Sequence, residues 1–147
     1  MDAIEDIYTK KCENFTGIDE KSFQKIIDLR EKSKGDKIYD DVKIDKESSH
    51  LLIYIKEKLV AYSRLWPDSD RDVSLQRFSV SKDYRNKGVA KILMDYIFQI
   101  RKKQFNSSSL ILTSREDTKE FYEKFGFEVY KKKIEQNKIR FYMRKTK

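Results

Sequence analysis

The chain has one cysteine, one histidine and no long apolar run. The lone Cys12 cannot form an intrachain disulfide, which fits a reducing, cytoplasmic setting. Cys12 and His50 together cannot supply the usual ligand sets for zinc, so no metal is expected. No stretch approaches the roughly 20 consecutive apolar residues of a membrane-spanning helix. The first residues, Met1-Asp2-Ala3-Ile4-Glu5-Asp6, lack the basic-then-apolar order of a secretory signal. No internal repeat is visible. These absences predict a cytoplasmic protein with no membrane partner.

What is present fits one domain spanning residues 1–147 and large enough for a real core. Hydrophobic residues make up 38% and nineteen residues are aromatic (nine Tyr, nine Phe, one Trp), which argues against disorder. The net charge of +8 draws anions such as phosphates, nucleic acid or an acidic substrate. Yet the lysines are spread along the chain, and the only tight run is Tyr130-Lys131-Lys132-Lys133. No basic stretch is interleaved with aromatics as a nucleic-acid platform would be. The charge therefore reads as a solvated surface, and nucleic acid is not the expected partner.

Periodicity sketches the elements. Ala3 to Lys10 reads as a first strand. Asp19-Glu20 opens a helix to about Lys32, with Phe23, Ile26, Ile27 and Arg30 on one stripe. Residues 33–49 read as an irregular loop. His50 to Ile55 and Leu59 to Leu65 form a hairpin about Lys56-Glu57-Lys58, followed by a turn over 66–70. Asp72 to Val80 is a strand whose apolar phase slips: Val73 and Leu75 are odd, Phe78 and Val80 even. Either a β-bulge or cover on both faces accounts for that. Beyond Gly88 the period turns helical, with Val89, Ile92, Leu93, Tyr96, Ile97 and Ile100 in register to about Lys103. A turn at 106–108, a strand at Leu110-Ile111-Leu112 and a helix from Asp117 to Phe125 ended by Gly126 come next. Strands from Phe127 and through Ile139, Phe141 and Met143 close the chain. The order predicts an α/β domain with a mixed, mostly antiparallel sheet and helices on both faces, containing one right-handed parallel unit.

The loop Arg85-Asn86-Lys87-Gly88-Val89-Ala90 lies between a strand and a long helix. A glycine loop opening a helix presents backbone N–H groups and the positive end of the helix dipole, which together hold an anion. This Arg-x-x-Gly-x-Ala pattern resembles the pyrophosphate motif of the GCN5-related N-acetyltransferases, the GNAT family. Phe121-Tyr122-Glu123-Lys124-Phe125-Gly126-Phe127 resembles the Phe-Tyr-x-x-x-Gly-Phe signature that closes that family's core. Phe78-Ser79-Val80-Ser81 matches the strand end beside the pantetheine arm. The resemblance covers about residues 50 to 145. It is similar to the ElaA-type branch in His50-Leu51-Leu52, Leu59-Val60-Ala61-Tyr62, Arg64-Leu65, Arg77 and the Leu29-Arg30 pair. The glutamate-glutamine stretch expected after Leu29-Arg30 is absent, and Arg115 stands where many relatives carry Asn.

The resemblance implies the GNAT fold and an N-acetyltransferase that carries acetyl from acetyl-CoA directly to a primary amine of a small molecule or peptide. It implies coenzyme contacts from Phe78, Ser79, Val80, Arg85, Asn86, Lys87, Gly88, Val89, Ala90, Arg115 and Tyr122. The Val80 amide would face the thioester carbonyl, and Tyr122 would protonate the departing thiolate. Read without the motif, Tyr122 is a core aromatic. No general base stands out: Gln76 occupies a position where many relatives have a carboxylate, and Asp70, Asp72 and His50 are candidates by position alone. Cys12 reads as structural, and a monomer or homodimer is expected. The competing reading is a GNAT-fold module that binds acyl-CoA as a regulator or scaffold with little catalysis.

Overall fold

The computed structural model describes residues 7–34, 42–106 and 108–146. The elements run β1 (Tyr8–Asn14), α1 (Glu20–Lys34), α2 (Val42–Glu47), β2 (Ser49–Ile55), β3 (Lys58–Pro67), β4 (Asp72–Val80), α3 (Val89–Gln104), β5 (Ser109–Arg115), α4 (Lys119–Lys124), β6 (Glu128–Glu135) and β7 (Lys138–Lys145). They build a seven-stranded sheet in the order β1-β2-β3-β4-β5-β7-β6. Every adjacent pair is antiparallel except β4–β5. Among the described residues no helix is long and apolar enough to cross a membrane.

Alternation along β2 sends successive side chains to opposite faces. Leu51 and Ile53 join a core with Val89, Ile92, Leu93 and Ile97 of α3, while Leu52 joins Ile26 and Leu29 of α1 beside Tyr62. Five of the six residues of the expected stripe of α3 are buried, with Met94 added, while Tyr96 is only half-buried. Removing each such aliphatic side chain from water stabilises the fold by about 1.5–3 kcal/mol. α1 starts where expected because the Asp19 carboxylate accepts the Ser22 amide at 2.7 Å, satisfying one orphan donor of the first turn.

Several boundaries differ from the sequence reading. The first strand is Tyr8–Asn14, held in register by Ser49–Ile55. Residues 3–6 of the expected strand lie outside the described residues. Within the expected loop over 33–49, residues 42–47 are helical. That helix is too short to show a period, and a buried ion pair at Asp45 fastens it. β3 continues through Trp66 and Pro67 because both pair with β4. β5 runs on to Arg115 through its pairing with β7. A 3-10 turn at Glu116–Thr118 replaces the first turn of the expected last helix.

The slipped phase in β4 is a bulge. Tyr62 pairs with Ser79 and Arg64 with Gln76, so Ser63 faces both Arg77 and Phe78. Arg77 sits at φ 57°, the left-handed region. Beyond the bulge Phe78 and Val80 return to the core side, which is why the apolar residues change parity.

Candidate active site

β4 and β5 pair only over Asp72↔Ser109, Val73↔Leu110 and Ser74↔Ile111. Beyond that the strands part and leave a notch. A cavity of about 430 Å³ occupies one side, lined by Phe78, Val80, Arg85, Asn86, Gly88, Ala90, Thr113, Arg115, Thr118, Phe121 and Tyr122. Eight of the residues anticipated from sequence therefore converge there: Phe78, Val80, Arg85, Asn86, Gly88, Ala90, Arg115 and Tyr122. The side chains of Ser79, Lys87 and Val89 do not line it. Ser79 is buried and gives its hydroxyl to the Arg77 carbonyl at 3.1 Å. Val89 is core, and Lys87 is exposed with its ammonium 5.6 Å from the Tyr84 ring. Thr113, Thr118 and Phe121 complete the wall. Thr113 and Thr118 carried no signal in the sequence, because only the parting of the strands turns them inward.

At one end the chain enters α3 through Asn86 at φ 60° and Gly88 at φ 84°. The first helical bond is Ile92 N–H to Gly88 O, so the amides of Val89 and Ala90 have no intrahelical acceptor. A Cβ added to Gly88 would meet nothing within 4 Å, so the loop leaves open space against its main chain. Arg85 donates through Nε to Val80 O at 3.2 Å, tying the loop to the strand end. Ser81 gives its N–H to Val60 O at 2.8 Å. Strand amides alternate between edges, so the Val80 N–H is directed away from β3 and toward the β5 side.

At the other end stands Tyr122. Its ring packs against Phe121 (5.1 Å between centroids), Phe127 (5.9 Å) and Phe78 (6.1 Å). Gly126, at φ 95°, ends α4 and returns Phe127 to the core, where its amide bonds Tyr122 O at 3.2 Å. The motif residues thus pin the tyrosine from both ends. Burial pushes the Tyr122 hydroxyl up to about 12, a rise that the Arg115 charge partly offsets.

A second cavity of about 380 Å³ opens beyond the notch, with Ile44, Arg64, Ser74, Gln76 and Arg77 in its lining, and shares Phe78, Thr113 and Tyr122 with the first. The three positional candidates for a base line neither cavity. Asp70 lies in the exposed turn before β4. Asp72 sits where β4 and β5 still pair, 3.4 Å from the Arg144 guanidinium. His50 is fully buried. Its Nε2 lies 2.8 Å from Asp45 O, and a carbonyl only accepts, so Nε2 carries the proton and Nδ1 takes the Tyr62 hydroxyl. Burial lowers the His50 pKa; the Asp45 contacts oppose this while Arg30 and Arg64 add to it, leaving the ring neutral.

That histidine belongs to a buried network that sequence reasoning missed. Asp45 Oδ1 accepts from Arg30 Nη2 at 2.6 Å and Arg64 Nη1 at 2.8 Å, and Arg30 Nη2 also reaches the Tyr62 hydroxyl at 2.9 Å. Arg64 Nε continues to Gln76 Oε1 at 2.8 Å, linking the network to the notch. The usable signal was the Arg30 on the apolar stripe of α1. Cys12 fits its structural reading: half-buried, its thiol pKa raised by burial, it accepts from Gln104 Nε2 at 3.6 Å.

The acetyltransferase (GNAT) domain model matches residues 11–147 of the chain. The UPF0039 protein C11D3.02c of Schizosaccharomyces pombe is 35% identical over 86 residues, a match that spans 57% of this chain and 57% of that protein. The fold is similar to that of an acyl-CoA N-acyltransferase from Pseudomonas aeruginosa (TM-score 0.82, 20% identity, 95% of this chain and 99% of that one). It is also similar to Escherichia coli ElaA (TM-score 0.83, 19% identity, 94% and 99%). A GNAT acetyltransferase from Elizabethkingia anophelis with acetyl-CoA bound shares it as well (TM-score 0.73, 12% identity, 97% and 99%). With a family match over nearly its whole length and a sheet that opens between β4 and β5, the chain belongs to the GNAT acetyltransferase family.

Proposed function

We propose that this protein is an acetyl-CoA-dependent N-acetyltransferase that moves the acetyl group directly to a primary amine while both substrates are bound. The observation that carries the reading is the parting of β4 from β5, with a cavity on each side and Phe78, Thr113 and Tyr122 common to both. The coenzyme fits the first cavity's features: an open glycine loop at a helix N-terminus for the pyrophosphate, with Arg85 and Lys87 adding charge. Phe78 and Ser79 would flank the pantetheine arm, and Asn86 and Arg115 border it. Acetyl-CoA supplies an activated thioester; the protein's part is to orient it and manage charge. The Val80 amide would donate to the carbonyl oxygen as charge builds there.

Tyr122 would hold a proton for the leaving thiolate. A pKa of about 12 keeps the phenol protonated at neutral pH. A free thiol titrates at about 8.5, so the transfer is uphill in water. The burial that raises the phenol raises a thiol beside it too, which narrows the gap. Among the described residues no histidine or carboxylate lines either cavity, and in this reading the amine's proton leaves through water. We place the protein in the cytoplasm, acting as monomer or homodimer.

That no histidine or carboxylate stands among the described lining residues favours one competitor, an acyl-CoA-binding module with little catalysis. Titration calorimetry with acetyl-CoA, followed by thiol release against a panel of primary amines, separates the two. Binding and turnover support the enzyme; binding without turnover supports the module; no binding refutes both.

A further inference from the structure

The second cavity, about 380 Å³, is the side of the notch from which an amine would meet the thioester, and a role for its residues in holding that amine rests on the acetyltransferase reading. Gln76 lines it from the last regular pair of β4, opposite Arg64. Directly opposed residues of antiparallel strands share a face, so the two side chains meet on the side that carries α2. The bulge follows at once and turns Phe78 to the α3 side, yet both Gln76 and Phe78 border the cavity.

Three hydrogen bonds fix Gln76. Its main-chain carbonyl accepts the Ser63 hydroxyl at 2.9 Å. Its Oε1 accepts Arg64 Nε at 2.8 Å, and its Nε2 donates to Ser74 Oγ at 3.0 Å. Arg64 can only donate, so the two ends of the amide cannot exchange places. Behind Gln76 the contacts run inward, from Arg64 Nη1 to Asp45 Oδ1 at 2.8 Å, with both of those side chains buried. Taking an ion pair out of water is costly, and the outer arm of this one ends on a neutral amide at a cavity wall. An amide carbonyl has two acceptor positions. Among the described residues Arg64 takes one of those on Oε1.

We propose that Gln76 holds the incoming amine, accepting one of its N–H groups on the second position of Oε1, and that Arg64 and Asp45 are positioning residues acting through Gln76. A nucleophilic amine must aim its lone pair at the thioester carbon, so an acceptor for one of its hydrogens sets the angle of attack. Because Arg64 and Ser74 already lock the amide, little side-chain freedom is lost when the amine arrives. Gln76 takes no proton in this role. It orients the nitrogen, and the proton still leaves through water.

The test uses the full chain with glycinamide, propylamine and spermidine as acceptors, reading thiol release, with calorimetry for acetyl-CoA. Gln76→Leu keeps the bulk and removes the acceptor, so kcat/KM for the amines is expected to fall at least about tenfold while acetyl-CoA affinity stays within about twofold. That change also strands Arg64 Nε, so Gln76→Glu is its companion. Glutamate still accepts from Arg64 and is expected to melt as the wild type does. A carboxylate against the nitrogen can take its proton, so the rise of kcat/KM with pH should move to lower pH. A side chain that only braced Arg64 would leave that profile where it was. Arg64→Lys keeps a charge for Asp45 but has no Nε donor. It should lower amine kcat/KM by itself, and added to Gln76→Leu it should change kcat/KM by no more than about twofold, since both act through one group. Amine kcat/KM in Gln76→Leu within about threefold of wild type, a Gln76→Glu profile that coincides with the wild type's, or additive losses in the double variant overturns the inference and leaves acetyl transfer standing. Acetyl-CoA binding with no amine acetylated overturns both.

Discussion

Asp45→Asn tests whether the buried network holds α2 to the sheet. Asp45 is 6% exposed in its side chain, and its partners Arg30 and Arg64 are 3% and 2% exposed. Oδ1 takes one hydrogen bond from each arginine, and Oδ2 takes Arg30 Nη1 at 3.2 Å. Asparagine can keep the Oδ1 contacts, but its NH2 then opposes Arg30 Nη1, donor against donor. Arg30 also loses its carboxylate charge inside the protein. Removing one member of a buried ion pair costs about 3–5 kcal/mol, and the retained oxygen puts this change at about 3 kcal/mol. For a chain of this size each kcal/mol lowers the melting temperature by roughly 2–4 °C, so a fall of roughly 6–12 °C is expected.

The pH dependence sharpens the test. Desolvation alone would raise the Asp45 pKa, but the hydrogen bonds and charges of Arg30 and Arg64 outweigh it and hold the carboxyl below its usual value. A lowered folded pKa contributes stability above the unfolded value of about 3.9, lost as pH falls through the folded one. The gap between wild type and Asp45→Asn should therefore be constant near pH 7 and shrink below about pH 4. Urea unfolding from pH 7 down to about pH 3 reads both quantities. A loss under about 1 kcal/mol at pH 7, or a gap that does not close in acid, would refute the account. The double variant with Arg30→Met should lose less than the sum of the single changes, since the stranded charge is gone.

Four further outcomes are expected. Gly88→Asp adds negative charge where the pyrophosphate is proposed to sit and should weaken acetyl-CoA binding by at least about tenfold in calorimetry. Gly88→Ala meets no neighbour within 4 Å and should cost only the backbone strain of φ 84°, read as a small loss of stability. Tyr122→Phe keeps the ring packing but removes the proposed proton donor, so kcat should fall by about 10²-fold while melting temperature and coenzyme affinity barely move; normal turnover would return Tyr122 to a packing role. Gln136 and Asn137 at the β6–β7 turn sit at φ 48° and 64°, the geometry that favours Asn-Gly. The Gln136→Asn, Asn137→Gly change should raise stability by about 0.4–1 kcal/mol in urea unfolding, and a loss would mean the turn has other backbone angles.

The sequence by itself determined the elements whose periods are long and clean. α3 was readable because six apolar residues recur at helical spacing before the chain ends the stripe in Arg101-Lys102-Lys103. The bulge in β4 was visible as one of two readings, since an inserted residue must reverse the parity of every apolar position after it. The glycine loop and the Phe121–Phe127 motif were legible because their backbone demands restrict residue type. Tertiary structure decided the rest. α2 exists because Asp45 finds two arginines, and one partner comes from β3, beyond the reach of any local window. Thr113 and Thr118 reach the cavity only because β5 leaves β4 after Ile111. His50, Asp70 and Asp72 looked alike as candidate bases in the sequence, and burial, a turn and an ion pair with Arg144 set them apart. Local spacing encodes which face a residue takes on its own element; which faces meet is settled by packing between elements far apart in the chain.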